Sequence, residues 1–241
     1  MKYMKQFAAG VPGITMILLI LSCQSVNPAK KYPNMVADVD PFSVGGVEAQ
    51  FDRFFSPKVN KAEIDVVFHP RLNAVSLEFK YAFINYRQFW DEAARKQFAA
   101  SLELYKRDFE DKKLINNYRK TRAVYGKVKG RVVWESFKFT KTHMSNPIIE
   151  IGYRFKEDRA FFTTLMRSAE EVMNTGDSSN SVDSQQISMY FTRAQADELA
   201  KLFDQAYLLE ILGTKAGAVT DEPAATDAAD AEAVPQGPYR E

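Results

Sequence analysis

The chain has 241 residues, of which 32 are Lys or Arg and 31 are Asp or Glu, so its formal net charge is +1. This balance excludes nucleic-acid binding through bulk positive charge, and 13% aromatic residues exclude a disordered polyelectrolyte. One cysteine and two histidines exclude an intrachain disulfide and Cys-rich or His-rich metal sites. We therefore expect no metal and no cofactor.

Residues 1–22 have the order of a secretory signal peptide. Lys2 and Lys5 form a short basic start, and an uncharged run of about 15 residues follows, ending before Ser22 and Cys23. A membrane-spanning helix needs roughly 20 apolar residues. The segment is therefore read as an export signal, although a short uncleaved anchor is an open alternative.

The end of this signal carries a specific resemblance. Ile20, Ser22 and Cys23 resemble the cleavage box of bacterial lipoproteins, in which a small residue precedes the cysteine. The resemblance implies that Cys23 is acylated, for example with palmitate, and becomes the first residue of an exported chain anchored in the bilayer. Gln24 stands where an Asp would retain the protein at the inner membrane, so the outer membrane is favoured. The alternative is an ordinary signal peptide with an incidental cysteine.

Residues 23–45 are predicted to be the lipidated N-terminus and an extended tether. Pro28, Pro33 and Pro41 favour extended backbone. The aromatic residues Phe42 and Phe51 leave a second interpretation open, in which residues 40–60 pack on the domain.

Residues 46–213 are predicted to form one α+β domain. Its mainly antiparallel sheet has five to seven strands, and two amphipathic helices cover one face. Alternating apolar residues predict strands over 64–68 and 75–83, joined by a turn at 69–73. A change to helical spacing predicts a helix near 88–112.

Further strand patterns follow this helix. They cover residues 124–139, with Gly126 and Gly130 as bends or bulges, then a hairpin over 147–166 and a short strand at 187–191. A second helix begins after Thr192, where Gln195 completes a capping box, and is expected to end at Gly213. Residues 214–241 are predicted to be a disordered acidic tail, with six acidic residues against Arg240 after position 220.

A basic segment is the first candidate for binding. Between residues 106 and 141, twelve basic residues stand against four acidic ones. Such a segment can contact anionic lipid headgroups or an envelope polymer, pair with the acidic tail, or lie solvated. The candidate basic surface comprises Lys112, Lys113, Arg119, Lys120, Arg122, Lys127, Lys129 and Arg131.

Strand aromatics are the second candidate. Tyr81, Tyr125, Trp134 and Tyr153 would line a groove for a sugar or an apolar ligand. The competing interpretation places them in the core as cross-strand pairs.

No catalytic motif for nucleotide binding or nucleophilic attack is present. His69 and His143 are expected in exposed turns or loops. The sequence therefore predicts a non-enzymatic, membrane-anchored envelope lipoprotein that binds or scaffolds another envelope component, protein or polymer, and no nucleic acid. Two alternatives remain, a small-ligand carrier and a hydrolase that uses the dispersed carboxylates Glu63, Asp65, Glu78 and Glu135.

Overall fold

The computed structural model describes residues 32–53, 56–136, 142–156, 158–174 and 182–220. The predicted signal peptide, Cys23 and residues 221–241 of the predicted tail lie outside these ranges. The described strands are β1 Phe42–Arg53, β2 Ser56–His69, β3 Ala74–Tyr81, β4 Ile84–Asp91, β5 Arg122–Lys129, β6 Arg131–Ser136, β7 Thr142–Ser145, β8 Ile148–Lys156, β9 Arg159–Met166, β10 Glu171–Asn174 and β11 Ile187–Phe191. The helices are α1 Glu92–Glu110, α2 Arg193–Phe203 and α3 Gln205–Thr220.

The predicted fold class is confirmed, because these elements form one α+β domain with an antiparallel sheet. The predicted number of strands is wrong, since the described sheet has eleven, in the order β10-β7-β6-β4-β3-β2-β1-β11-β9-β8-β5. The prediction of two helices is also wrong, since three are described.

Two local breaks in the chain explain part of these differences. Ala82 and Phe83, at φ +49° and +66°, form a two-residue turn that divides the predicted strand 75–83 and starts β4. Neither Ala nor Phe favours positive φ. The Asn-Gly or Asp-Gly pair that usually signals a two-residue hairpin turn is absent at these positions. Asp204, in an extended conformation, separates α2 from α3, and α3 continues to Thr220, beyond the predicted end at Gly213.

The sheet curls strongly around its helices. Strands β5 and β6 are separated only by Gly130, yet they lie far apart in the strand order. Lys129 of β5 pairs with Ile148 of β8, and Val132 of β6 pairs with Ser145 of β7. The two pairs are three residues apart along each side of the hairpin, so the pairing register continues across Gly130. Helix α1 contacts β4 as well as β5 and β8. The sheet therefore has a concave face, which holds the helices, and a convex face.

The concave face is packed with aromatic side chains. Phe98 of α1 makes edge contacts with Trp90, Phe162 and Phe203 at centroid distances of 5.8, 5.2 and 5.1 Å. All four side chains are buried. Each such burial contributes about 1.5–3 kcal/mol, so these contacts hold α1 and α2 against the sheet.

The chain enters the domain beside the β2–β3 turn. The amide of Val36 donates to the carbonyl of Pro70 at 3.0 Å, and Arg71 forms ion pairs with Asp38 and Asp40. This part of the predicted tether therefore lies against the domain, at the end where α1 begins. Among the described helices, none is both long and apolar enough to cross a membrane.

Candidate functional site

The connection between α1 and β5, residues 111–121, forms a basic loop. Its tip is a tight turn, in which the side-chain oxygen of Asn117 accepts hydrogen bonds from the amides of Arg119 and Lys120, both at 2.9 Å. The side chain of Tyr118 is 88% exposed, and the Arg119 guanidinium lies 5.1 Å from its ring centroid. The turn therefore presents an aromatic ring and a cation together to solvent.

Two hydrogen bonds attach the basic loop to the sheet. The amide of Ile115 donates to the hydroxyl of Tyr153 at 2.9 Å, and the amide of Phe155 donates to the carbonyl of Thr121 at 2.9 Å. The hydroxyl of Tyr153 thus accepts a hydrogen bond from the backbone of the loop. These contacts give the loop a defined position at the C-terminal end of α1.

The structure separates the predicted basic residues into two groups. Lys112, Lys113, Arg119, Lys120 and Arg122 are exposed in or next to the basic loop. In the described ranges, Lys113 is the one member of this group with an acidic partner, Asp111 at 2.7 Å.

The other three predicted residues lie beyond the loop on the convex face. Lys127 forms an ion pair with Glu150 at 3.1 Å, and Lys129 lies exposed near the end of β5. Arg131 packs over the ring of Phe89 at 4.2 Å, and burial lowers its pKa. The basic surface is therefore contiguous in the loop, whereas Lys127 and Arg131 are engaged within the fold.

A narrow groove lies next to the loop on the convex face, across β5, β8, β9 and β11. Gly152 lies in the middle of the groove, between Glu150 and Arg154 on β8, and lacks a side chain to fill it. The space is about 20 Å³, enough for one or two water molecules. Its lining includes Arg122, Glu150, Gly152, Arg154, Thr163, Ser188 and Tyr190.

One side of the groove is bordered by a network around Asp52. The carboxylate of Asp52 accepts hydrogen bonds from Lys156 at 2.7 Å and from the hydroxyl of Tyr190 at 2.8 Å, and Arg154 donates to that hydroxyl at 3.0 Å. Burial raises the pKa of Asp52, but the hydrogen bonds from Lys156 and Tyr190 outweigh it and hold the pKa below its ordinary value.

Glu150 is held in the same way. Lys127 and Arg167 contact its two carboxylate oxygens at 3.1 and 2.8 Å. Burial raises the pKa of Glu150, yet these two hydrogen bonds outweigh burial and the net shift is downward. Arg122, which pairs in register with Arg154, has no acidic partner among the residues that the structure describes. The surroundings of the groove therefore carry excess positive charge.

These lowered pKa values predict acid sensitivity. A carboxylate with a depressed pKa in the folded state stabilises the fold above its unfolded pKa, and this contribution is lost as the pH falls. We expect the free energy of unfolding, measured in urea, to decrease below about pH 4.5. The Asp52→Asn variant should be less stable at pH 7 and lose less on acidification. Asp183→Asn, an exposed position outside the groove, is the control and should follow the wild type.

The four predicted ligand-binding aromatics do not share one groove in the described part of the chain. Tyr125 and Tyr153 contact each other at 5.9 Å beneath α1, and the hydroxyl of Tyr125 donates to Asp108. Tyr81 instead donates to the carbonyl of Asp52, and Trp134 stacks on His143 at 5.3 Å. The ligand-carrier alternative stays a prediction, without a site common to these residues.

The predicted carboxylates lie on the convex face. Asp65 pairs in register with Glu78, and Glu63 pairs with Glu48. Glu78 and Glu135 line an open depression of about 260 Å³, in which Arg87 forms an ion pair with Glu78 at 2.9 Å. The hydrolase alternative also stays a prediction.

The expected exposure of His143 is wrong. This residue lies in β7, is 7% exposed, and donates from Nδ1 to the carboxylate of Glu171. Strand β10 brings Glu171 there through pairing with β7, a contact with no local sequence signal. The expectation is also wrong for His69, which is half-buried at the end of β2 and contacts Ser76 at 2.8 Å. Burial lowers its pKa to about 4, so it is neutral at pH 7.

Comparison with known proteins places these features in a family. A family model described as "Uncharacterised Treponema protein" matches residues 42–210, more than half of the chain. The chain belongs to this family. No curated protein and no solved structure matches it.

In this member of the Treponema family, the matched region runs from the start of β1 into α3. It contains the basic loop and every residue that lines the groove, whereas Cys23 precedes it. The candidate surface is therefore part of the family domain itself.

Proposed function

We propose that this protein is exported, anchored in a bacterial membrane through acylated Cys23, and binds an anionic envelope polymer through the basic loop. The observation that carries the proposal is the set of four exposed cations in the loop. Lys112, Arg119 and Lys120 have no acidic partner in the described ranges, and Lys113 contacts Asp111 alone. Clustered, unneutralised cations attract polyanions and raise the rate of association.

The position of the loop favours a polymer over the anchoring bilayer. The chain enters the domain where α1 begins, and the basic loop follows the other end of this 19-residue helix. A helix of this length spans about 28 Å. Residues 23–32 reach at most about 32 Å when fully extended. The loop can therefore contact the anchoring bilayer only if the domain turns its loop end towards the membrane and residues 23–32 are almost fully extended.

The chemistry of the turn supports binding beyond simple charge attraction. Tyr118 and Arg119 combine a large exposed ring with a planar guanidinium, the residue types most frequent at energetically important contacts. Anchoring of the loop to Tyr153 and Phe155 limits the ordering that binding must impose. A polymer with anionic sugar or phosphate groups fits this combination of the Tyr118 ring, the Arg119 guanidinium and the loop lysines.

The test measures binding of the full-length protein, in detergent micelles, to fluorescent polyphosphate. Replacing Lys112, Lys113, Arg119 and Lys120 by Gln should weaken binding at least 10-fold at 50 mM salt, and wild-type binding should weaken as salt rises. The matched control replaces four exposed lysines elsewhere, Lys61, Lys96, Lys201 and Lys215, so that the net charge is the same. This control should bind within 2-fold of the wild type.

Two results would contradict the proposal. The first is equal weakening in the control, which would show that only total charge matters. The second is loop-dependent binding to vesicles with anionic headgroups that is tighter than binding to polyphosphate, which would make the bilayer the partner. Deletion of residues 221–241 in parallel measures competition by the acidic tail, and a rise in affinity would show that the tail occupies the loop.

A further inference from the structure

We propose that the groove on the convex face binds a single tetrahedral oxyanion, of the phosphate class, between Arg122 and Arg154. The inference deepens the proposed function, on which it rests for the identity of the partner, since one phosphate group of the polymer would occupy the groove. Binding of the isolated oxyanion depends on the groove alone and can be tested separately.

The first support is a pair of like charges. Arg122 on β5 and Arg154 on β8 are direct partners in the antiparallel register, and both side chains line the groove. Like charges directly opposite each other destabilise a sheet. An anion held between two guanidinium groups turns this repulsion into attraction and forms strong, charge-assisted hydrogen bonds.

The second support is a set of unused donors. Within the described ranges, the side chains of Arg122, Thr163 and Ser188 form no hydrogen bond, although all three line one groove. Ser188 is 9% exposed, and its hydroxyl has no acceptor among the described residues. Hydroxyl and guanidinium groups are hydrogen-bond donors, and an oxyanion supplies acceptors for all three side chains.

Arg154 has capacity for a ligand as well. Its guanidinium carries five N–H donors, of which one hydrogen bond goes to Tyr190 at 3.0 Å, and its distance to the carboxylate of Asp52 is 4.0 Å. The Asp52 network therefore orients Arg154 without using all its donors. Tyr190 and Lys156 hold Asp52 in turn, so the arginine side chain is prepositioned at the groove.

One groove residue opposes an anion, and its charge is met elsewhere. Glu150 lines the groove, but Lys127 and Arg167 contact both of its oxygens. The space of about 20 Å³ is too small for a sugar ring or a lipid headgroup. It accommodates one or two oxygens of an oxyanion, whose remaining atoms lie outside the groove.

The experiment is an NMR titration of the full-length, ¹⁵N-labelled protein in micelles with inorganic phosphate. The amide signals of Gly152 and Ser188 should shift with saturation in the millimolar range. Arg122→Gln should weaken this binding at least 10-fold, whereas Lys129→Gln, which removes a charge from the same strand outside the groove, should change it less than 2-fold. Thr163→Ala with Ser188→Ala should weaken it without a change of charge. Both substitutions at charged residues are at exposed positions, and equal thermal midpoints would confirm that the variants fold.

Two outcomes would overturn the inference. One is unchanged phosphate binding in Arg122→Gln. The other is equal weakening in Lys129→Gln, which would indicate a diffuse response to charge. The variant without the four loop cations separates the two proposals, since it should retain phosphate binding in the groove while binding polyphosphate at least 10-fold more weakly. If this variant binds polyphosphate more weakly, but phosphate does not shift the groove amide signals of the wild type, only the proposal for the groove is wrong. If phosphate shifts the groove amide signals but the wild type does not bind polyphosphate, only the proposal of a polymer partner is wrong.

Glycerol phosphate in place of inorganic phosphate tests a lipid-headgroup source, and at least 10-fold tighter binding of that ligand would overturn the polymer assignment.

Discussion

The Cys23→Ala variant is expected to incorporate no palmitate. The resemblance of the signal to lipoprotein signals places the acyl chains on this side chain, and the chain has no other cysteine to take its place. Two chains already give stable anchoring, because each buried methylene contributes about 0.8 kcal/mol. Metabolic labelling with radioactive palmitate, followed by membrane fractionation and gel analysis of the wild type and the variant, measures the effect.

Ser25→Ala is the matched control, because it changes a small residue just beyond the predicted lipid site and should be labelled like the wild type. Palmitate labelling that survives Cys23→Ala would contradict the anchor. A mature wild-type chain that begins at another residue would do the same, since it would indicate an ordinary signal peptide with an incidental cysteine.

Gly152→Ala is expected to lose about 3 kcal/mol of the free energy of unfolding, the upper end of the usual cost of overpacking. A Cβ atom at Gly152 would lie 2.0 Å from the carbonyl oxygen of Ala123 and 2.9 Å from the Cα of Val124. Both atoms belong to the backbone of β5, at the bulge between Val124 and Gly126, so the strand itself must move. Urea denaturation followed by circular dichroism provides the measurement.

The chain offers a control of the same chemistry. Gly213→Ala adds a Cβ in α3 with no atom within 4 Å, and Ala favours a helix over Gly by about 0.8–1.0 kcal/mol. This variant should match or exceed the stability of the wild type. A Gly152→Ala protein as stable as the wild type would show that β5 can shift away from β8, and that the bulge does not depend on glycine.

Elements with local signals were predicted well. The alternation of apolar residues in β2 and β3 is present in the structure, and Thr192 with Gln195 forms the expected capping box. The bulge at Gly126 is confirmed. In each case the determining interaction lies within a few residues of the chain, so the pattern and the contact have the same range.

Elements without a local signal were missed. The turn at Ala82 and Phe83 has no turn-forming residues, and Phe83 is 81% exposed although its pattern indicates a buried strand face. The residues that lead into α1 have helical spacing but belong to β4, since pairing with β3 and β6 outweighs helical propensity. The same limit explains why the sequence predicted too few strands.

The candidate site shows the same division. The net charge of +1 conceals a basic segment, and the sequence alone identified its cations, the acidic tail and the exceptional position of Cys23. It did not distinguish the free cations of the basic loop from Lys127, which Glu150 neutralises. Only the tertiary structure decided this, and it alone created the groove, where Asp52 meets Tyr190 across 138 residues. The physical reason is range: signals, caps and strand alternation depend on neighbouring residues, whereas ion pairing and the groove depend on the register and curl that bring distant strands together.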